Sequence, residues 1–288
     1  MNAKRAFWAL KRNISHKKRD SLEQTISEDA EFSYWYAKDV IEGQFELGEE
    51  AICQSATYSY RYAAYVIGGR WGPGEAAISK NASCSLHYAH VIQRRFEPGE
   101  AAVCKDAECA LDYSKDVICG RWEPCEAVIG QDAGCSLKYA RDVLKRRFKL
   151  GEPEICQDAE AAYTYARRVI KGRWKLGEAA ICSDAQQSYK YAMNVIGGRF
   201  QLGEAAISKS EKYAFLYAKQ VIRENVTRKL AMMCPCWLYI YAEDVIKGRL
   251  PTTMHNTMIA FGIIDSKEKY VRTYLGSKKY QVEKKTEF

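Results

Sequence analysis

No stretch of the sequence approaches the roughly 20 consecutive apolar residues that a membrane-spanning helix needs. A transmembrane reading is thereby excluded. Residues Met1 to Asp20 hold no uninterrupted apolar core followed by a small-residue cleavage site, which argues against a secretory leader and predicts an intracellular, cytoplasmic protein. Histidine is scarce. The 4 copies, His16, His87, His90 and His255, sit in no nucleophile or metal-ligand motif, and no glycine-rich loop is built to cradle a phosphate. The expectation is a protein without catalytic residues, cofactor or metal.

Clustered charge is also missing from most of the chain. Residues 21–264 carry 30 basic against 31 acidic side chains, whereas residues 1–20 carry seven basic and one acidic, and residues 265–288 seven and four. A groove that follows a phosphate backbone needs concentrated lysine and arginine, so the central region is a poor candidate for one. The termini stay open to that role. Lys4, Arg5, Lys11, Arg12, Lys17, Lys18 and Arg19 form the candidate basic patch.

What the sequence does have is a repeat. The core Tyr-Ala-x-x-Val-Ile-x-Gly-Arg-aromatic places its Val at Val40, Val66, Val91, Val117, Val143, Val169, Val195, Val221 and Val245, at a prevailing step of 26 residues. A period of this size marks small supersecondary elements that stack because none can bury its own apolar face alone. Upstream stand Asp29, Ser55, Asn81, Asp106, Asp132, Asp158, Asp184 and Ser210, all good acceptors for the free amides of a first helical turn. A long helix is predicted to start at each. Ala159, Ala162, Ala166, Val169 and Ile170 make its apolar stripe, and Gly43, Gly69, Gly120, Gly172, Gly198 and Gly248 are placed to end it in a left-handed conformation. Arg94 and Arg146 replace that glycine in two repeats.

A second, shorter helix follows each link, with Glu49, Glu75, Glu100, Glu126, Glu152, Glu178 and Glu204 in its first turn and Pro73, Pro98 or Pro124 just ahead in three repeats. The link aromatic alternates as Phe45, Trp71, Phe96, Trp122, Phe148, Trp174 and Phe200, a packing pattern that points to duplication of paired repeats. The fold class predicted is all-α: an α-solenoid, or superhelix, of about eight to nine helix-turn-helix repeats of 26 residues with terminal caps. The expected division is 1–21 as basic segment or cap helix, 22–250 as the array, and 251–288 as C-terminal cap and lysine-rich tail.

These repeats resemble those of α-helical tandem-repeat proteins of tailed bacteriophages and some bacteria. The resemblance runs over roughly residues 22–262 and includes Met-His-Asn-x-Met-Ile-Ala at Met254 to Ala260. It implies architecture and a viral origin, and no catalytic site. The chain departs from the pattern at Arg94 and Arg146, at a one-residue deletion between Tyr88 and Val91, and at Cys125 in place of Gly, so a less regular array is expected between residues 88 and 126.

Two ladders compete for a functional meaning. The repeated tyrosines, Tyr36 through Tyr241, fit either helix packing with bonded hydroxyls or a platform on which bases stack. The repeated Arg and Glu fit local pairing at helix ends. Of the 11 cysteines, Cys53, Cys104, Cys156 and Cys182 form one column and Cys84, Cys109 and Cys135 another; equivalent positions on stacked helices lie about 8 to 10 Å apart, so free thiols are expected and disulfides or a zinc shell are not. Cys234-Pro235-Cys236 lacks a second pair.

A binding surface should vary where the frame does not. The positions after Tyr-Ala do vary, and Tyr65, Lys115, Asp116, Arg141, Asp142, Arg167, Arg168, Asn194, Lys219 and Gln220 are the candidate partner-contact face. The leading expectation is a non-enzymatic scaffold for protein–protein interaction, engaging a host factor if the chain is viral. The alternatives are nucleic-acid binding through basic termini and aromatic ladder, or a structural part of a larger assembly.

Overall fold

The computed structural model describes residues 2–12, 16–222 and 237 and the pairs 270–271 and 280–281. The chain divides into two compact units, Met1–Glu152 and Pro153–Phe288. The architecture is all-α, of repeated helix pairs in a solenoid-like arrangement; the only extended structure among the described residues is a two-residue antiparallel pairing of Tyr270–Val271 with Tyr280–Gln281.

Each long helix begins where a side-chain acceptor was expected. The carboxylate or amide oxygen of Asp29, Asn81, Asp106, Asp132, Asp158 and Asp184 accepts the amide three residues on, at 2.6–3.0 Å, and Ser55 does so at 3.4 Å. Ser210 makes no such bond. The helices end differently from the expectation. In the first repeat α-helix Ala30–Tyr36 passes into a π-helical turn, Ala37–Ile41, and the same change recurs at Ala63–Ile67, Tyr113–Val117, Tyr139–Leu144, Ala166–Ile170, Ala192–Ile196 and Ala218–Ile222. Among the described repeats only the third stays α-helical, from Ala82 to Ile92. That is the repeat with the deletion.

A π turn is an α turn carrying one extra residue, so removing one residue between Tyr88 and Val91 returns the helix to α geometry. The closing bonds record the difference. Gly43 donates to the Ala37 carbonyl six residues back, as Gly69 does to Ala63, but Arg94 donates to Ala89, five back. The link beyond the turn keeps its place, so the deletion itself disturbs only this turn. The Phe96 amide after the shortened helix reaches Tyr113 at 2.8 Å, within the 2.7–2.9 Å seen for the same bond in other repeats.

The glycine column is also reassigned. The left-handed residue is the one before it: Glu42, Gly68, Gln93, Cys119, Lys145, Lys171 and Gly197, with φ between 53° and 72°. Gly69, Gly120, Gly172 and Gly198 have open space around them and ordinary φ, which is why Arg94 and Arg146 are accommodated there. Gly248 lies outside the described residues. The sterically demanding glycines form another column, at the start of the short helix. A Cβ on Gly48, Gly74, Gly99, Gly151, Gly177 or Gly203 would run into the link aromatic ring and, in all but Gly177, the small residue three before the preceding ladder tyrosine.

The short helices, such as Glu46–Cys53 and Glu75–Ile78, bury their Ile or Val completely. Alternation of the link ring shows up as alternating ring geometry. Tyr36–Phe45, Tyr88–Phe96, Tyr139–Phe148 and Tyr191–Phe200 meet edge to face at 66–79°, whereas Tyr62–Trp71 and Tyr165–Trp174 are tilted at 54° and 51°.

Cys125 breaks the glycine column and corrects the expectation about cysteines. It is joined to Cys104 by a disulfide at a Cα–Cα distance of 4.8 Å. The expectation compared equivalent positions, but these two are not equivalent: Cys104 closes one short helix and Cys125 opens the next. At this point Ala110 stands where serine sits in five repeats, and the Trp122 ring lies nearly flat on Tyr113, at 29°, leaving room for the extra side chain. Cys53, Cys84, Cys109, Cys119, Cys135 and Cys182 are free thiols, with Cys84 and Cys135 buried and Cys119 exposed.

At the N-terminus, Ala3–Leu10 is a capping helix that buries Ala6, Phe7 and Leu10. Helix His16–Ser27 follows and runs through the expected boundary at residues 21 and 22, burying Leu22 and Ile26 as the first short helix of the array. In the C-terminal unit the last described repeat ends at Ile222, and the Trp237 indole donates to the Ala214 carbonyl at 2.6 Å. The expected C-terminal cap and tail, 251–288, lies outside the described residues apart from 270–271 and 280–281, as do Cys234, Cys236 and His255. No helix among the described residues is long and apolar enough to cross a membrane.

Two outcomes follow from the glycine and cysteine assignments. Gly99→Ala forces a Cβ to within 2.6 Å of the Phe96 ring and should cost about 1–3 kcal/mol or more in denaturant unfolding, while Gly120→Ala, in open space, should be nearly neutral. Equal effects would show that the demanding column is misassigned. Reducing the Cys104–Cys125 bond, 21 residues apart, should lower the stability of the N-terminal unit by about 3 kcal/mol. Cys125→Gly, which restores the residue of the other repeats, should fold and show no response to reductant.

Candidate partner-binding face

Behind the candidate face lies one repeated polar network. The hydroxyl of a ladder tyrosine accepts the backbone amide of the preceding link aromatic and donates to the glutamate of the short helix between them, as Tyr88 does with Trp71 and with Glu75 at 2.9 Å. The glutamate in turn takes two N–H groups of the link arginine. Arg70–Glu75, Arg95–Glu100, Arg121–Glu126, Arg147–Glu152, Arg173–Glu178 and Arg199–Glu204 pair at 2.6–2.8 Å. The expectation of local pairing holds, over five residues and across the link. Gln44 replaces the arginine ahead of Glu49, which still accepts the Tyr62 hydroxyl at 2.9 Å.

Burial is the first cause of the shifts in this network. It pushes the hydroxyls of Tyr36, Tyr88, Tyr113, Tyr139 and Tyr191 up to about 12, assisted by the glutamates and opposed, in all but Tyr36, by the donated amide. Hydrogen bonds from Arg70 and Arg121 hold Glu75 and Glu126 below the usual carboxylate range. A phenol held this high is a poor proton donor or acceptor near neutral pH, so the network is suited to holding repeats together.

The ladder reading is therefore decided between its alternatives. Tyr36, Tyr62, Tyr88, Tyr113, Tyr139, Tyr165, Tyr191 and Tyr217 are each 0% exposed, so they offer no face on which a base could stack. This is a correction to the aromatic-ladder argument for nucleic acid. The basic patch is corrected at one residue. Arg19 bonds Glu23 at 2.9 Å and the Tyr36 hydroxyl, taking the place of a link arginine in the first repeat. Of the rest, Lys4, Arg5 and Arg12 are exposed, and Lys11 lies 3.9 Å from Asp39 and over the rings of Phe7 and Trp8. Lys17 and Lys18 belong to helix His16–Ser27, and their side chains lie outside the described residues.

All ten candidate face residues are exposed. In the N-terminal unit, Tyr65 is 61% exposed with the Lys38 ammonium 5.3 Å from its ring centre, and the cations pair along their own helices, Lys115 with Asp116 at 3.9 Å and Arg141 with Asp142 at 2.7 Å. In the C-terminal unit the amides link neighbouring repeats: Asn194 donates to the Tyr163 hydroxyl at 3.0 Å, and the Tyr189 hydroxyl donates to Gln220 at 2.6 Å. Asn194 and Gln220 are thus partly structural. Arg167 also donates to Tyr163, at 3.1 Å.

A further exposed column escaped the sequence reading. Leu47, Leu150, Leu176 and Leu202, two residues after a link aromatic, are 55–63% exposed. Their period was visible, but apolar residues at a helix start read as core. His87 is exposed with Nδ1 2.6 Å from the Ser83 carbonyl, and no group of three His, Cys, Asp or Glu among the described residues could hold a metal. Fold and face together define an all-α tandem-repeat protein. Comparison with family models, with curated proteins and with solved structures finds no match for the chain.

The raised tyrosines carry a pH dependence. Their hydroxyls ionise at 10.0 when unconstrained and at about 12 in the folded repeats, so the folded state holds protons that the unfolded chain has lost. Stability is complete below pH 10 and falls as pH rises through 12. Helical circular dichroism should collapse in that window together with a single cooperative rise in tyrosinate absorbance; ladder tyrosines ionising near pH 10 with the helices intact would contradict the burial.

Proposed function

We propose that the protein is a non-enzymatic scaffold that binds another protein through the exposed face of its long helices. One observation carries the reading: the ladder tyrosine, the link aromatic and the short-helix glutamate that recur along the array are buried or paired within the frame, whereas the ten varying positions are all exposed. A frame that repeats and a surface that does not is the arrangement by which solenoids present individual contacts on a uniform backbone. On the resemblance to bacteriophage repeat proteins, the partner is a host factor and the chain acts in the host cytoplasm. A reducing cytoplasm keeps thiols apart, so on this reading Cys104 and Cys125 are open there and close on oxidation.

The test is a pair of variants. With Lys115→Glu, Arg141→Glu, Arg167→Glu and Lys219→Glu combined, the chain should keep its helical signal and melting temperature and lose a protein that co-purifies with the wild type. Leu150→Gln with Leu176→Gln, away from the face, should retain it. Retention by the first variant, or loss by the second alone, would move the binding surface elsewhere. Light scattering that showed only self-association would favour a structural role in an assembly.

A further inference from the structure

The two compact units treat charge on the face differently. In the N-terminal unit the third position after the ladder tyrosine is acidic in Asp39, Asp116 and Asp142, and Lys115 and Arg141 are neutralised next door by Asp116 and Asp142. In the three described repeats of the C-terminal unit that position holds Arg168, Asn194 and Gln220, with Arg167, Met193 and Lys219 just before and Thr164, Lys190 and Leu216 four before, while the next repeat in sequence returns to the acidic pair Glu243 and Asp244. No acid occupies these nine positions. The two amides are engaged by Tyr163 and Tyr189, which brings the three helices into one hydrogen-bonded surface.

Four cations stand on that surface without an acidic partner among the described residues. Arg167, Arg168 and Lys219 are exposed and Lys190 is half-buried; Arg167 rests on the Tyr163 hydroxyl, Lys190 over the Tyr163 ring at 5.9 Å and Lys219 over Phe215 at 5.7 Å. The acids of the same helices, Asp158, Glu160, Asp184 and Glu211, sit at their N-terminal ends, on the order of two turns or 10 Å away. The link arginines Arg173 and Arg199 are already satisfied by Glu178 and Glu204. Among the described residues positive charge is therefore left uncompensated on one patch, held in place by ring and hydroxyl contacts.

We infer that this patch of the C-terminal unit docks an acidic segment of a protein partner, an extended run of aspartate and glutamate lying across the three long helices. The inference rests on the protein-binding reading and names the chemistry of the partner. Neighbouring helices lie about 8–10 Å apart, so the patch spans roughly 20 Å, the length of about six extended residues. Carboxylates fit its donors, since guanidinium and ammonium groups form charge-assisted bonds with them. A nucleic-acid strand fits less well. Tyr163 is 6% exposed, the faces of Tyr163 and Phe215 are taken by lysines, and four cations make few phosphate contacts.

The experiment uses the full chain and a fluorescent peptide of alternating Asp and Glu about 12 residues long, titrated by anisotropy at roughly 50 mM and 150 mM salt. Binding should be saturable and weaken with salt. Replacing Arg167, Arg168, Lys190 and Lys219 by glutamine should weaken it by about tenfold or more, with helical signal unchanged. Arg167→Lys with Arg168→Lys should keep most of it, and Lys115→Gln with Arg141→Gln, in the other unit, should change it less than about twofold. Absence of peptide binding, or equal binding by the glutamine variant, overturns the inference. So does a single-stranded RNA of similar length that binds more tightly through the same four residues. If the peptide fails while the charge-reversed face still loses its captured protein, only the acidic chemistry falls; if no protein depends on the face, the scaffold reading falls with it.

Discussion

A phenol hydroxyl carried into a site without water has to find a donor and an acceptor there, because a buried polar group left unpaired costs about as much as a hydrogen bond gains. Each ladder tyrosine meets this condition with the amide of the link before it and the carboxylate of the short helix after that link, as Tyr139 does with Trp122 and Glu126. The two bonds tie three consecutive segments to a single ring. The carboxylate is then compensated by the link arginine, and the ring packs against its own link aromatic. A long helix, two turns and a short helix are located by one side chain, and the period of the array is the distance at which that condition can be met again.

Once the hydroxyl sets the spacing, the rest of the repeat can vary at its softest point. The turn after the ladder tyrosine is π-helical in most repeats and α-helical in the third, yet the Phe96 amide still finds Tyr113. A wider turn absorbs one residue without moving the link. The left-handed residue that closes the helix needs backbone freedom more than a particular side chain, and glutamate, glutamine, cysteine and lysine all occupy it alongside glycine. The glycines that a side chain can replace only if its neighbours change too are those pressed between a link ring and the preceding long helix. Where cysteine stands in that column, at Cys125, the neighbouring serine is alanine and the tryptophan has turned flat.

The same division organises the functional reading. The ladder tyrosine, link ring and short-helix glutamate face inward or pair along the link, variation falls at the outer positions of the long helix, and there the described repeats of the two compact units carry different charge. Aspartate beside lysine or arginine makes the N-terminal face self-neutralising, whereas amides and cations make the three described repeats of the C-terminal unit positive. Arg19 shows why position in a basic run is a weak guide to role. It lies among seven basic residues and is nevertheless spent on Glu23 and Tyr36 inside the frame.

The sequence by itself determined the period, the helix starts and the all-α class, because caps and apolar stripes act over three or four neighbouring residues and can be read locally. Asp132 binds the amide of Cys135 whatever surrounds it. It also separated the exposed variable positions from the frame, since the helical period alone puts Arg141 and Arg167 opposite the apolar stripe. Only the tertiary structure decided which glycine column matters, that Cys104 meets Cys125, that the tyrosine ladder is closed to ligands, and that Asn194 and Gln220 are partly engaged. Each of these depends on which residues of one repeat face those of the next. That placement follows from the packing of tyrosine, link ring and short helix, and no local spacing encodes it.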